Sequence, residues 1–276
     1  MPPDDSRVFP AVRSVLDALL HHLETHAPGL ITGAYITGSI ALGDGRPDRS
    51  DIDLVLVRNP DADNAATMAA LEPALAALRQ RRQKPMIDGI VLDARDLEAG
   101  PDRLDGARPI IFDNVARLGT DGSAHNPVTW QTLRQCGIAY HGDQLDLDRL
   151  WHDPARLDSW TRSNLVSYWR RWLARNDRLL SRSGVVSLGT WATEWGVLGV
   201  TRLHYTLTTG HITSKRGAGA FALDTFPARW HRVVREAVRI REGRRDERQF
   251  RNPLERRRHM REYVAMVIDD ALALPD

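Results

Sequence analysis

The segment Ile52-Asp-Leu-Val-Leu-Val57 constrains this chain more than any other. It predicts a strand, and Ala34-Tyr-Ile-Thr37 upstream predicts another, the two joined by a long polar turn from Gly38 to Ser50. Helical patterns flank the pair. Val12, Val15, Leu16, Leu19, Leu20 and Leu23 form an i, i+3, i+4, i+7 stripe that Pro28-Gly29 ends. Met68, Leu71, Leu75 and Leu78 repeat the spacing ahead of a third strand at Ile87–Leu92. A short helix near 128–135 and a strand at Ile138–His141 close this half, while the Asp-, Gly- and Pro-rich residues 93–124 carry no assignment.

From Asp158 onward the pattern is helical. Leu165, Trp169 and Trp172 mark a helix behind an Asp158-Ser159 cap, and a second covers about Thr190–Thr208 and stops at Thr209-Gly210. A third starts at Pro227 and ends at Gly243, with Pro at its start and Gly just past its end, and a last one runs from about Pro253 to Leu272. There are no internal repeats. The expected class is α+β: a mixed sheet with helices over residues 1–150, then an all-helical domain over 151–276.

A chain of 276 residues suits two domains, and 42% apolar with 27% charged residues excludes a disordered chain. Cys136 is the single cysteine, so an internal disulfide and a Cys-based zinc site are both excluded. No apolar run reaches the roughly 20 residues a membrane span needs. The start, Met1 to Arg7, lacks a signal peptide's apolar stretch, so a cytoplasmic protein is expected. The net charge of +2 hides an asymmetry: residues 1–150 hold 15 Lys/Arg against 22 Asp/Glu, and residues 151–276 hold 23 against 14. An acidic half and a basic half suit a cleft with cations on one wall and phosphates on the other, although a solvated basic helix over Arg241–Glu262 accounts for much of the excess. The basic residues are 36 Arg and two Lys, Lys84 and Lys215, which makes a retained lysine informative.

The chemistry concentrates in Gly38-Ser39, eleven further residues, then Asp51-Ile-Asp53. Residues i and i+2 of a strand share a face, so Asp51 and Asp53 present two carboxylates side by side. A divalent cation relieves their repulsion, and hard oxygen donors suit Mg²⁺ sharing its shell with phosphates. Gly38-Ser39 offers open backbone and a hydroxyl to those phosphates. The bland alternative is a polar strand end with two solvated aspartates.

Gly38-Ser39 followed by Ser50-Asp51-Ile-Asp53 resembles the signature of the nucleotidyltransferase superfamily related to DNA polymerase β. That family's third carboxylate lies on a later strand, where Asp88 is the candidate; Asp93, on the opposite face, is second choice. The segment Thr201-Arg202-Leu-His-Tyr205 through Thr209-Gly210 to Ser214-Lys215, then Phe226-Pro227 and Glu236-Ala237, resembles the C-terminal domain of streptomycin/spectinomycin-type aminoglycoside adenylyltransferases. The resemblance implies that Asp51 and Asp53 hold Mg²⁺ on ATP and that Asp88 is the general base. Gly38, Ser39, Ser50, Arg202, Lys215 and Arg241 would serve ATP. The family's base is Glu, and Arg241 stands where it has Tyr. The family's streptomycin-reading Trp and Asp have no clear counterpart in 183–190. Trp191, Glu194 and Trp195 are the nearest replacements, able to stack on and charge-pair with a cationic aminocyclitol.

The implied reaction moves AMP from Mg-ATP to a hydroxyl of an aminoglycoside or aminocyclitol, spectinomycin-like rather than streptomycin. It releases pyrophosphate and confers resistance. The expected partners are small molecules, without membrane or nucleic acid, and the expected state is a monomer. The rivals are a toxin-like nucleotidyltransferase acting on tRNA or protein, and a nucleotide-binding regulator with a degenerate site. His22-Leu-Glu-Thr-His26 has a zinc pair's spacing but sits in a last helical turn, where protonated histidine suits the helix dipole.

Overall fold

The computed structural model describes residues 5–47, 49–82, 84–120 and 125–275, so Met1–Asp4 of the start lie outside it. The chain divides into two compact units, Met1–Asp153 and Pro154–Asp276.

In the first unit, α1 (Pro10–His26) places proline in its first turn and buries Val12, Val15, Leu16, Leu19 and Leu23, the stripe read from the sequence. Strand β1 (Ile31–Ile36) follows, then a four-residue helix α2 (Gly38–Ala41) inside what the sequence suggested was only a polar turn. Strand β2 (Ile52–Arg58) leads to α3 (Asn64–Gln80), whose Asp63 cap accepts from the Ala66 N–H, and α3 leads to β3 (Ile87–Leu92). The stretch left unassigned holds α4 (Ala94–Ala99), β4 (Arg108–Phe112) and β5 (Val115–Gly119). Helix α5 (Pro127–Cys136) and β6 (Ile138–His141) complete the unit. Half-buried Cys136 packs against the core, and burial pushes its thiol up to about 11, which removes it as a nucleophile.

The six strands run in the order β5-β4-β3-β2-β1-β6. Strands β2 and β3 are parallel, which requires the crossover that α3 supplies, and the other described pairs are antiparallel. Side-chain parity sorts the strands into two faces. Ile52, Leu54, Leu56, Ile87 and Val91 pack with Leu16, Leu19, Leu71 and Leu75. Val55, Val57, Ile90 and Leu92 pack on the other side with Tyr35, Leu97 and Trp130. Burying one such leucine is worth about 1.5–3 kcal/mol, so the alternation fixes which way every odd and even residue of β2 points. Asp53 is directly beside Asp88 in the β2–β3 register.

The first helix of the second unit begins earlier than the Asp158-Ser159 cap suggested. Helix α6 (Pro154–Asn164) starts at a proline and continues through a π-helical stretch (Leu165–Arg170) into α7 (Arg171–Arg175). Asp158 is therefore no cap. It sits inside the helix, where its carboxylate accepts from Arg162 Nε at 2.7 Å, an i, i+4 pair that supports the helix already begun. Next come α8 (Arg182–Val186) and α9 (Thr190–Thr209), which ends on Gly210 in the left-handed conformation. Helix α10 (Lys215–Thr225) had no counterpart in the sequence reading, because its small residues, Gly217, Ala218, Gly219 and Ala222, weaken the helical signal. A 3₁₀ turn (Ala228–Trp230) precedes α11 (His231–Arg241), so α11 starts later than Pro227. Helix α12 (Pro253–Ala273) is last.

Helix α9 packs against α10, α11 and α12 around Trp169, Trp172, Val197, Val234, Tyr263 and Val267. Fully buried Glu236 accepts from Arg239 and from the Gln249 N–H, pinning the 242–252 loop to α11. Burial pushes its carboxyl up, but those hydrogen bonds outweigh it and hold the group below the usual range.

Candidate active site

In the first unit, the end of β1 and the start of β2 are held together where Thr37 N–H donates to the Asp53 carbonyl at 2.8 Å. Gly38 follows with φ of +62°, a conformation that favours glycine. A second constraint is steric: a Cβ on Gly38 would lie 1.7 Å from Asp53 Oδ2. The Asp53 carboxylate therefore rests against the backbone of Gly38, and only a residue without a side chain leaves it room. Asp51 is exposed just before β2, while Asp53 and Asp88 are half-buried. The shared parity of Asp51 and Asp53, and the pairing of Asp53 with Asp88, put all three on the face of Val55 and Ile90.

A fourth carboxylate joins them. Strands β4 and β5 form a hairpin with Phe112 opposite Val115, and its two turn residues, Asp113 and Asn114, have φ of +49° and +60°. Positive φ at both positions is the type I′ pattern suited to strand twist. The Asp113 N–H donates to Asp88 Oδ1 at 2.8 Å. Burial, outweighing that hydrogen bond, raises the Asp88 carboxyl, and the charges of Asp51 and Asp113 add to the rise. Partial loss of solvent around its carboxyl raises Asp51 as well, although the residue as a whole is exposed, with Asp113 adding and Lys84 opposing. At Asp51 and Asp88 the charged form is therefore disfavoured. The signal for Asp113 was in the sequence: Ile110-Ile-Phe112 and Val115-Ala-Arg-Leu118 separated by two turn-forming residues.

Other expected residues have local duties. The Ser50 hydroxyl accepts from the Arg46 N–H at 2.8 Å and Ser50 is buried, so it closes the loop before Asp51. Ser39 is the half-buried second residue of α2, and its carbonyl accepts from Asp44 N–H at 2.9 Å. Asp93 caps α4 in a reciprocal box with Asp96 and lies 4.0 Å from Arg58, which accounts for it without chemistry.

In the second unit, the structure gathers most of the remaining residues. Lys215 is the first residue of α10, whose Ser214 cap accepts from Gly217 N–H. Arg202 Nε donates to the Thr213 carbonyl at 2.9 Å and so holds the loop that delivers Lys215. Lys215 Nζ is 2.9 Å from Glu194 Oε1, and Arg241 Nη1 is 3.8 Å from the same oxygen. Glu194, expected to meet a cationic acceptor, is thus occupied by two cations of its own unit. Lys215 also stands 5.5 Å from the Trp195 ring centre. Trp195 stacks on Trp191 at 5.5 Å with an interplanar angle of 14°, and Trp191 is 56% exposed.

These two sites have recognisable relatives. Residues 16–94 match the nucleotidyltransferase domain family and residues 183–268 match the aminoglycoside adenylyltransferase C-terminal domain family. No curated protein sequence matches the chain. Its fold is similar to the crystal structure of spectinomycin adenyltransferase AAD(9) from Enterococcus faecialis with ATP and spectinomycin. That likeness has a TM-score of 0.57 at 14% identity, covering 91% of this chain and 98% of that one. The protein is an enzyme of the nucleotidyltransferase class. With both domains present in this order, the chain belongs to the aminoglycoside adenylyltransferases of that superfamily.

Proposed function

We propose that this enzyme transfers AMP from Mg-ATP to a hydroxyl of a cationic aminocyclitol, spectinomycin-like rather than streptomycin, and so confers resistance. The observation that carries the proposal is the placing of Asp51, Asp53 and Asp88 on one sheet face, with the carboxyls of Asp51 and Asp88 raised by lost solvation and by neighbouring negative charge. The resistance role places the enzyme in the cytoplasm.

The donor set fits Mg²⁺: hard carboxylate oxygens, two of them on carboxyls whose proton affinity is raised by burial and by neighbouring like charges. Among the described residues no three His, Cys, Asp or Glu side chains form a ready-made metal cage. Mg²⁺ usually keeps several waters and takes one or two carboxylates plus substrate phosphates, so a full protein cage is not required. Asp51 and Asp53 would hold the ion, which neutralises charge on the transferring phosphoryl group and the leaving pyrophosphate. Asp88 takes the proton of the acceptor hydroxyl. That oxygen bonds to the α-phosphorus of ATP as the bond to pyrophosphate breaks. Gly38 and Ser39 offer an amide and a hydroxyl to phosphate oxygens.

Lys215, Arg241 and the N-terminus of α10 form the cationic ground for the triphosphate, because a lysine in the first helical turn adds to the positive dipole end rather than opposing it. Arg202 supports Lys215 through the Thr213 carbonyl. The stacked pair Trp191–Trp195 supplies an exposed aromatic surface for a cationic ring. Glu194 has two possible duties, the acceptor's amine or the ATP-side cations, and its 2.9 Å pair with Lys215 favours the second.

The test is pyrophosphate release from Mg-ATP against spectinomycin, streptomycin and other aminoglycosides, with mass spectrometry of the products. A drug that gains the mass of AMP establishes the reaction. ATP binding without turnover on the panel redirects the search to a macromolecular acceptor, tRNA or protein.

A further inference from the structure

Asn114 is the most completely engaged polar residue near the carboxylates. It is fully buried, 0% exposed, on a turn whose flanking residues, Asp113 and Val115, are exposed. Its Oδ1 accepts from Ile87 N–H at 2.7 Å, and its own N–H donates to the Ile87 carbonyl at 3.1 Å. Its Nδ2 lies 3.3 Å from Met86 Sδ, and its carbonyl accepts from Arg79 of α3. The β3–β4 pairing covers Gly89 and Ile90, and Asn114 stands in for the missing ladder at Ile87, the residue before Asp88. Every polar group of this turn residue is therefore satisfied by β3 or its neighbours.

We infer that Asn114 is a positioning residue for Asp88: it locks the β4–β5 turn onto β3 so that the Asp113 N–H fixes Asp88 Oδ1. That bond at 2.8 Å holds one carboxylate oxygen and leaves Oδ2 to take the acceptor's proton. The Asp113 backbone donor, rather than the Asp113 side chain, does the fixing. Aspartate is a methylene shorter than the glutamate of the family pattern, and a short carboxylate has less freedom to find the hydroxyl once misdirected. This inference rests on the assignment of Asp88 as base.

Three variants and one exchange measurement test it. Asn114→Gly keeps the left-handed backbone without strain and removes only the side chain. We expect kcat to fall about 10–100-fold, as misplacement of a reacting group does, with KM for ATP within about twofold and a cooperative thermal transition retained. Asp113→Gly keeps both the turn and the N–H, and should lose far less kcat than Asn114→Gly. Amide hydrogen exchange should show the Asp113 N–H protected in the wild type and unprotected in Asp88→Ala. Wild-type kcat in Asn114→Gly overturns the inference, as does Asp113→Gly failing equally, or an Asp113 amide that exchanges freely in the wild type. If Asn114→Gly does not fold, Asp113→Gly and the exchange result decide. Full turnover in Asp88→Ala instead removes the assignment of the base, a different outcome from any of these.

Discussion

The two charged clusters differ in how they are balanced. On the sheet, the carboxyls of Asp51 and Asp88 are raised by lost solvation and by neighbouring negative charge, that of Asp113 included, and Lys84 opposes the rise at Asp51. In the helical unit, Glu194 already neutralises Lys215 and adjoins Arg241. In the proposed reaction a cation from outside would complete the first cluster. The second is complete alone, and an incoming anion must compete with Glu194 for its lysine. Replacing a residue should therefore have opposite consequences in the two places: neutralising an aspartate relieves strain but removes metal, whereas neutralising Glu194 releases cations.

The largest expected effect is Asp53→Asn, which should lower turnover by about 10³-fold or more while circular dichroism stays native, since a metal ligand is lost without volume. Near-wild-type turnover would break the metal assignment. Lys215→Ala should raise KM for ATP by about tenfold, the value of one lost charge-assisted contact of about 1.4 kcal/mol, with a smaller change in KM for the acceptor. An unchanged dependence on ATP concentration would take Lys215 out of the nucleotide site.

Smaller still, Glu194→Gln should alter KM for ATP by a few-fold and leave KM for the acceptor nearly unchanged. The reverse split would return Glu194 to the acceptor's amine and erase the contrast drawn above. The smallest effect is on stability. In metal-free protein, the raised carboxyls of Asp51 and Asp88 favour the fold most below the ordinary aspartate value of 3.8. That contribution is lost as pH rises through their higher native values. Asp51→Asn should therefore raise the metal-free Tm at neutral pH only slightly, by about 1–2 °C, because solvent around the exposed Asp51 screens most of the repulsion. It should also weaken the Tm gain from added Mg²⁺. A fall in Tm would show that the carboxylates are not in repulsion.

Much of this was legible in the chain before folding. The strands carrying Asp53 and Asp88 with Asp51 just ahead of the first, their common face, the stripe of α1 and the stop at Gly210 all follow from periods of two and 3.6 and from turn chemistry. Asp93 was separable from Asp88 by parity alone, and the capping box confirms a different duty. Helix α10 and the β4–β5 hairpin were not read. One is built of small residues with little pattern, and the other lies in a polar stretch whose two-residue turn is a weaker signal than Asn-Gly.

The sequence by itself determined the chemistry on offer, two carboxylates at i and i+2 behind a Gly-Ser, because that arrangement depends only on neighbouring backbone. Tertiary structure alone decided who meets whom. Asn114 reaches Ile87, Asp113 reaches Asp88, and Lys215 reaches Glu194 across 27, 25 and 21 residues of chain. Such pairings are set by strand order and helix packing, which no local period encodes.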